Sequence, residues 1–129
     1  MIAVDTSVFV AILASEPEAE TFSQRLGEAT TRAMSAGNYL ECAMMAERRF
    51  GGRAVLDSWL RDRAIEIFPV DLRMAQEAAE AFRRFGRRMH PATLNYGDCF
   101  AYALAKSLNA PLLYKGKDFA RTDIAPALA

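Results

Sequence analysis

The sequence predicts an α/β fold of three layers, with helices packed on both faces of a mostly parallel central sheet. Short, wholly apolar segments such as "MIAV" and "PLLY" have the length and character of strands buried on both faces. Longer stretches with apolar residues three and four apart lie between them and read as helices. The two kinds alternate along the chain, which is the rhythm of right-handed βαβ crossovers. At 129 residues, 52% hydrophobic and 25% charged, the chain is expected to form one folded domain over residues 1–129.

"MIAV" is the first strand, stopping at Asp5, and "TSVFVAILASE" follows as a helix whose hydroxyl residues suit an N-cap, with Phe9 and Leu13 four apart. "EPEAETFSQRLGEA" reads as a second helix, with acids in its first turn, Phe22 and Leu26 on one face and Gly27 near its end. "TRAMSAG" supplies a short strand. From Asn38 to Phe50, "NYLECAMMAERRF" is apolar on most sides until its arginines, as expected of a helix covered by protein. After a glycine break, "GGRAVLDSWLRDRA" gives a further helix and "IEIFPV" alternates as a strand. Asp71 caps the next helix, "LRMAQEAAEAFRRF". "GRRMHPATLNYG" is a loop, a helix runs from Asp98 to Leu108, "PLLY" is a buried strand, and "KGKDFARTDI" is a loop.

Composition excludes several function classes. No apolar run approaches the roughly 20 residues of a membrane helix, and the N-terminal stretch is not a secretory leader, so no membrane contact and a cytoplasmic location are expected. Cys42 and Cys99 lack any CxxC or histidine pattern, which argues against a disulfide framework or a zinc site. The formal net charge is zero, so the molecule as a whole does not attract a phosphate backbone. Basic charge is instead local: Arg48, Arg49 and Arg53 in one cluster, Arg83, Arg84, Arg87 and Arg88 with His90 in another.

The chemistry rests on the acids. In open α/β sheets ligands bind outside the carboxyl ends of the strands. Asp5 directly follows the first strand, and Asp118 stands four residues after "PLLY". Asp98 opens an apolar helix and shares a face with Ala101, Tyr102 and Ala105. A helix N-terminus favours a carboxylate by about 0.3–1 kcal/mol, yet Thr93, Asn95 and Gly97 already offer capping nearby. Glu41 lies among Leu40, Cys42, Met44 and Met45; such a carboxylate must be paired, either by Arg48 or Arg49 or by a bound cation. Four carboxylates without a histidine or thiol cluster suit a hard cation, Mg²⁺ or Mn²⁺, and the hydrolysis of phosphodiesters. A phosphoacceptor receiver domain would need a further acid where "VDTSV" has one, and a haloacid-dehalogenase-like phosphatase needs a second aspartate where Ser7 stands.

Taken in order, "MIAVDTSVFVAIL", "SAGNYLECAMM" and "LNYGDCFAYALAKSLNAPLLYKGKDFARTDI" resemble the PIN-domain ribonucleases, specifically the VapC-like toxins of bacterial type II toxin–antitoxin systems. The resemblance implies that Asp5, Glu41, Asp98 and Asp118 form the metal-binding quartet of a Mg²⁺-dependent endoribonuclease, with Thr6 and Ser7 supporting it through their hydroxyls. It also implies an RNA substrate, a small cognate antitoxin and a homodimer. Asp123 is a candidate fifth acid that reads better as structural, and Lys115 and Lys117 flank the acid edge, where they would hold phosphate or merely solubilise. The alternative within the same fold is a PIN-like module that binds RNA or a partner without cutting, against which the intact quartet speaks.

Overall fold

Ile2–Val4 forms the first strand, β1, and its alternation divides the molecule: Ile2 and Val4 pack into one hydrophobic core, Ala3 into the other. The chain continues through α1 (Thr6–Leu13), α2 (Ala19–Glu28), β2 (Arg32–Ser35), α3 (Ala36–Met45) with a π-helical extension over Ala46–Phe50, and α4 (Arg53–Asp62). Then come β3 (Ile65–Phe68), α5 (Leu72–Phe85), α6 (Tyr96–Ser107), β4 (Leu112–Leu113) and a 3₁₀ turn at Phe119–Arg121. The structure, a computed structural model, describes residues 1–128.

All neighbouring strands are parallel, in the order β3-β2-β1-β4. Ala3 pairs with Ala33 on one side and Leu112 on the other, so β1 is central and buried. Val8, Phe9, Phe22, Leu26, Cys42, Leu56 and Trp59 from α1 to α4 fill the core on one face of the sheet. Phe9 is its wedge, with edge-on ring contacts to Trp59 at 5.2 Å and to Phe50 at 5.8 Å, pairs worth about 0.5–1.5 kcal/mol each beyond area burial. Helices α5 and α6 cover the other face, where Ala101, Ala103 and Ala105 meet Ala3 and Ala33. Small residues on both sides let α6 lie close to the sheet. This is the three-layer α/β/α arrangement expected from the sequence.

Several boundaries differ from the expectation. The N-cap of α1 is Asp5, not one of the hydroxyl residues, because its carboxylate accepts from the Ser7 N–H. Ser35 caps α3 through the Gly37 N–H, so that helix starts at Ala36, two residues before Asn38. Asn95 caps α6, which therefore starts at Tyr96, and Asp98 sits inside its first turn. Asp71 caps α5 as expected, accepting from the Met74 N–H at 2.9 Å. Only Leu112–Leu113 of "PLLY" pairs as strand. Cys42 and Cys99 are free and buried, and among the described residues no helix is long and apolar enough to cross a membrane.

Candidate functional site

The strand order places a crevice at one point. From β1 the chain steps outward to β2 and β3, then crosses back to lay β4 on the opposite side of β1. Connections leaving β1 and β4 diverge there, the switch point at which open α/β sheets bind ligands. A cleft of about 450 Å³ opens at this end, lined by Asp5, Thr6 and Ser7 from the start of α1, Glu41, Met44, Met45 and Arg48 from α3 and its extension, Asn95 and Asp98 from the start of α6, and Lys115 beyond β4.

Three of the expected carboxylates thus come together, each delivered by a different element and each held by one oxygen. Asp5, 5% exposed, accepts at Oδ2 from the Ser7 N–H at 3.0 Å and the Ser7 hydroxyl at 2.6 Å. Ser7 in turn accepts from the Lys115 N–H at 2.9 Å, tying the end of β1 to the end of β4. Glu41 accepts at Oε1 from the Thr6 hydroxyl at 2.8 Å and the Asn38 side-chain amide at 2.9 Å. Asp98 and Asn95 form a reciprocal capping box: Asp98 Oδ2 accepts from the Asn95 N–H at 3.0 Å, and Asn95 Oδ1 from the Asp98 N–H at 2.9 Å. Among the described residues, Glu41 Oε2 and Asp98 Oδ1 accept no hydrogen bond.

The electrostatics are those of crowded acids. Burial pushes the Asp5 carboxyl up to about 6 against its hydrogen bonds from Ser7, and the charge of Glu41 adds to the rise. Burial likewise pushes Asp98 up to about 7, with Asp5, Asp118 and Glu41 adding in that order. Capping therefore explains where Asp98 sits, but not its setting: a simple surface cap would keep an ordinary carboxyl. The nearest lysine does not neutralise the acids, since Lys115 Nζ lies 3.3 Å from Glu16 and 3.1 Å from Glu18, bridging the loop after α1.

Other residues fall elsewhere. Arg48 lines the cleft without pairing Glu41, and the Arg49 guanidinium lies over the Phe50 ring at 5.1 Å, so Thr6 and Asn38 take the role expected of an arginine. Asp118 is exposed at the head of the 3₁₀ turn, outside the cleft lining, where Asp98 nonetheless feels its charge. Asp123 is engaged elsewhere: Tyr102 donates to it at 2.5 Å, and Lys106 and Arg84 lie at 3.2 and 3.6 Å. Sequence reasoning missed Asn38, which is fully buried and donates to Glu41, to Thr6 Oγ1 and to the Gly97 carbonyl at 3.0 Å. Its one sequence signal is an amide one turn before an acid on an apolar helix.

The donor set fits a hard divalent cation. It is all oxygen, two of the acids carry oxygens that accept no hydrogen bond among the described residues, and two carboxyls are raised, first by burial and further by the charges of neighbouring acids. Among the described residues, however, no three His, Cys, Asp or Glu side chains are gathered into a ready coordination shell. Magnesium retains several waters, so it does not require such a shell.

The PIN domain family matches residues 2–125. A Mycolicibacterium smegmatis relative named Ribonuclease VapC is 47% identical over 124 residues, covering 95% of this chain and 96% of its own. Among solved structures, Mycobacterium tuberculosis VapC20, described as a sarcin-ricin loop cleaving toxin, superposes with a TM-score of 0.77 at 18% identity, covering 97% of each chain. A toxin–antitoxin complex from Klebsiella pneumoniae gives 0.75 at 15% identity, covering 95% of this chain and 93% of that one. The structural likenesses carry the fold, and the family match and the 47% identity carry the kinship. This chain belongs to the PIN-domain family, within its VapC ribonuclease group.

Proposed function

We propose that this chain is a divalent-cation-dependent endoribonuclease that hydrolyses RNA phosphodiester bonds and is restrained by a small cognate antitoxin. The observation that carries the reading is the convergence of Asp5, Glu41 and Asp98 on one cleft, each fixed through one oxygen, at the switch point of a PIN-domain sheet. The names of the relatives supply the substrate class.

In this reading Asp5, Glu41 and Asp98, with Asp118 from the loop beyond β4, hold Mg²⁺ or Mn²⁺. Such an ion, when bound, supplies an activated water and stabilises the charge on the phosphodiester oxygens. The chain does the positioning. Ser7 keeps Asp5 oriented and favours its ionised form, Thr6 and Asn38 fix Glu41, and the α6 cap fixes Asp98. Arg48, exposed on the rim of the cleft, offers a guanidinium to an RNA phosphate, a contact that positions the strand without reading its sequence. Exposed Leu40 and Met44 on α3 offer apolar surface to an antitoxin segment, and Leu72, Phe82 and Tyr96, exposed on α5 and α6, offer it to a second copy of the chain in a homodimer.

The test is cleavage of a structured RNA panel, mapped at nucleotide resolution, with Mg²⁺, Mn²⁺ or EDTA. Cation-dependent cutting that Asp98→Asn abolishes is expected. Equal cutting by wild type and variant would sink the reading.

A further inference from the structure

We propose that Gly97 is a positioning residue for Glu41: the bare Cα of α6 at this point is the surface against which the Glu41 carboxylate rests. A Cβ built on Gly97 would overlap both oxygens and the carboxyl carbon of Glu41, and these are the three atoms nearest to it. No backbone requirement accounts for the glycine. Its φ lies outside the left-handed region, and it occupies the first turn of a helix, where alanine is the better helix former. The space is the reason for the residue.

The contact is clamped from the other side. Asn38, fully buried, donates from one amide nitrogen both to Glu41 Oε1 at 2.9 Å and to the Gly97 carbonyl at 3.0 Å. Thr6 adds a second hold on the same Glu41 oxygen at 2.8 Å. Helices α3 and α6 therefore meet at a point where a carboxylate is pressed onto a backbone. Asp98 follows Gly97 directly, so the glycine allows the acids of the two helices to approach one another. The obstructed group in an alanine variant is the far end of a flexible side chain, so the fold absorbs the extra methyl by moving Glu41 away. Stability is then largely kept while the carboxylate is lost from its place.

The inference rests on the ribonuclease reading for its consequence, but its contact is tested without RNA. Gly97→Ala, Glu41→Ala and the double variant are compared by thermal unfolding in EDTA, by Mn²⁺ titration and by RNA cleavage. In the Glu41→Ala background, Gly97→Ala is expected to raise Tm by about 2–4 °C as the helix-propensity gain is unmasked, and in the wild-type background to raise it less or lower it. Gly97→Ala alone is expected to weaken Mn²⁺ binding and to lower kcat at least tenfold with KM within about twofold, and to cause no further loss once Glu41 is alanine. Equal Tm increments in the two backgrounds, or a Gly97→Ala protein with wild-type Mn²⁺ affinity and kcat, would overturn the positioning role. A wild-type protein that cuts no RNA would overturn the ribonuclease reading alone, leaving the Tm comparison to decide the contact.

Discussion

Ser7 and Lys115 are joined across 108 positions of sequence: the Ser7 hydroxyl accepts from the Lys115 backbone N–H at 2.9 Å and donates to Asp5 at 2.6 Å. One hydroxyl thus couples the outer limit of β4 to the first acid of the cleft. Ser7→Ala leaves an N–H and a buried carboxylate oxygen short of partners, which costs about 1–3 kcal/mol in urea unfolding. Because Ser7 also lowers the Asp5 carboxyl against the effect of burial, its loss is expected to weaken Mn²⁺ binding roughly tenfold, as for other residues that orient a ligand. Unchanged Mn²⁺ affinity in Ser7→Ala would remove this hydroxyl from the site.

The acid pair sets a pH dependence whose sign is fixed. Asp5 and Asp98 are raised from 3.8 to about 6 and about 7, so between about pH 4 and pH 7 the folded chain binds more protons than the unfolded one. The stability these groups contribute is present below about pH 4 and is lost as pH rises through 6 to 7. In EDTA, Asp98→Asn is therefore expected to gain on wild type in Tm across that window and to stay ahead above it, while Mg²⁺ at pH 8 raises the wild-type Tm and not that of the variant. A variant that loses ground to wild type between pH 4 and 7 would contradict the raised carboxyl.

Arg48 separates RNA binding from chemistry. Arg48→Gln is expected to raise KM several-fold with kcat little changed, and to make the log–log salt dependence of RNA binding shallower by about 0.7–0.9, the release of one phosphate contact. A salt slope identical to that of wild type would exclude Arg48 from the path of the RNA.

Asp123 is the control acid. Asp123→Asn weakens its contacts to Tyr102, Lys106 and Arg84 and is expected to cost about 0.5–2 kcal/mol, with cation affinity and cleavage retained. Lost Mn²⁺ binding in this variant would return Asp123 to the ligand set.

Much of the frame was legible because it is local. "MIAV" announces a buried strand by composition alone, Asp71 announces a helix start, and the order of acids along α/β units indicates which sheet edge they reach. What the sequence concealed depends on contacts distant along the chain. Nothing in "NYLECAMM" says that Glu41 is satisfied by Thr6, 35 positions earlier, when Arg48 and Arg49 stand a turn or two away. The start of α6 was ambiguous because Asn95 and Asp98 cap each other, so either one alone looks like the boundary. The π-helical turn at Ala46–Phe50 has no periodicity of its own to betray it, although the Gly51 that ends it, at φ 93°, marks the break. Gly97 beside an aspartate reads as turn punctuation until Glu41 is seen resting on it.

The central place of β1 in the sheet also orders events in time. Its second neighbour, β4, and the helix carrying Asp98 both come late in the sequence, so a chain still emerging from the ribosome has Asp5 and Glu41 but neither the third acid nor the strand that completes the crevice. The cleft comes into being only after residues 98 to 115 have left the exit tunnel and docked against a strand made at the outset. An acid site laid out in this way does not exist until segments far apart in the order of synthesis have met.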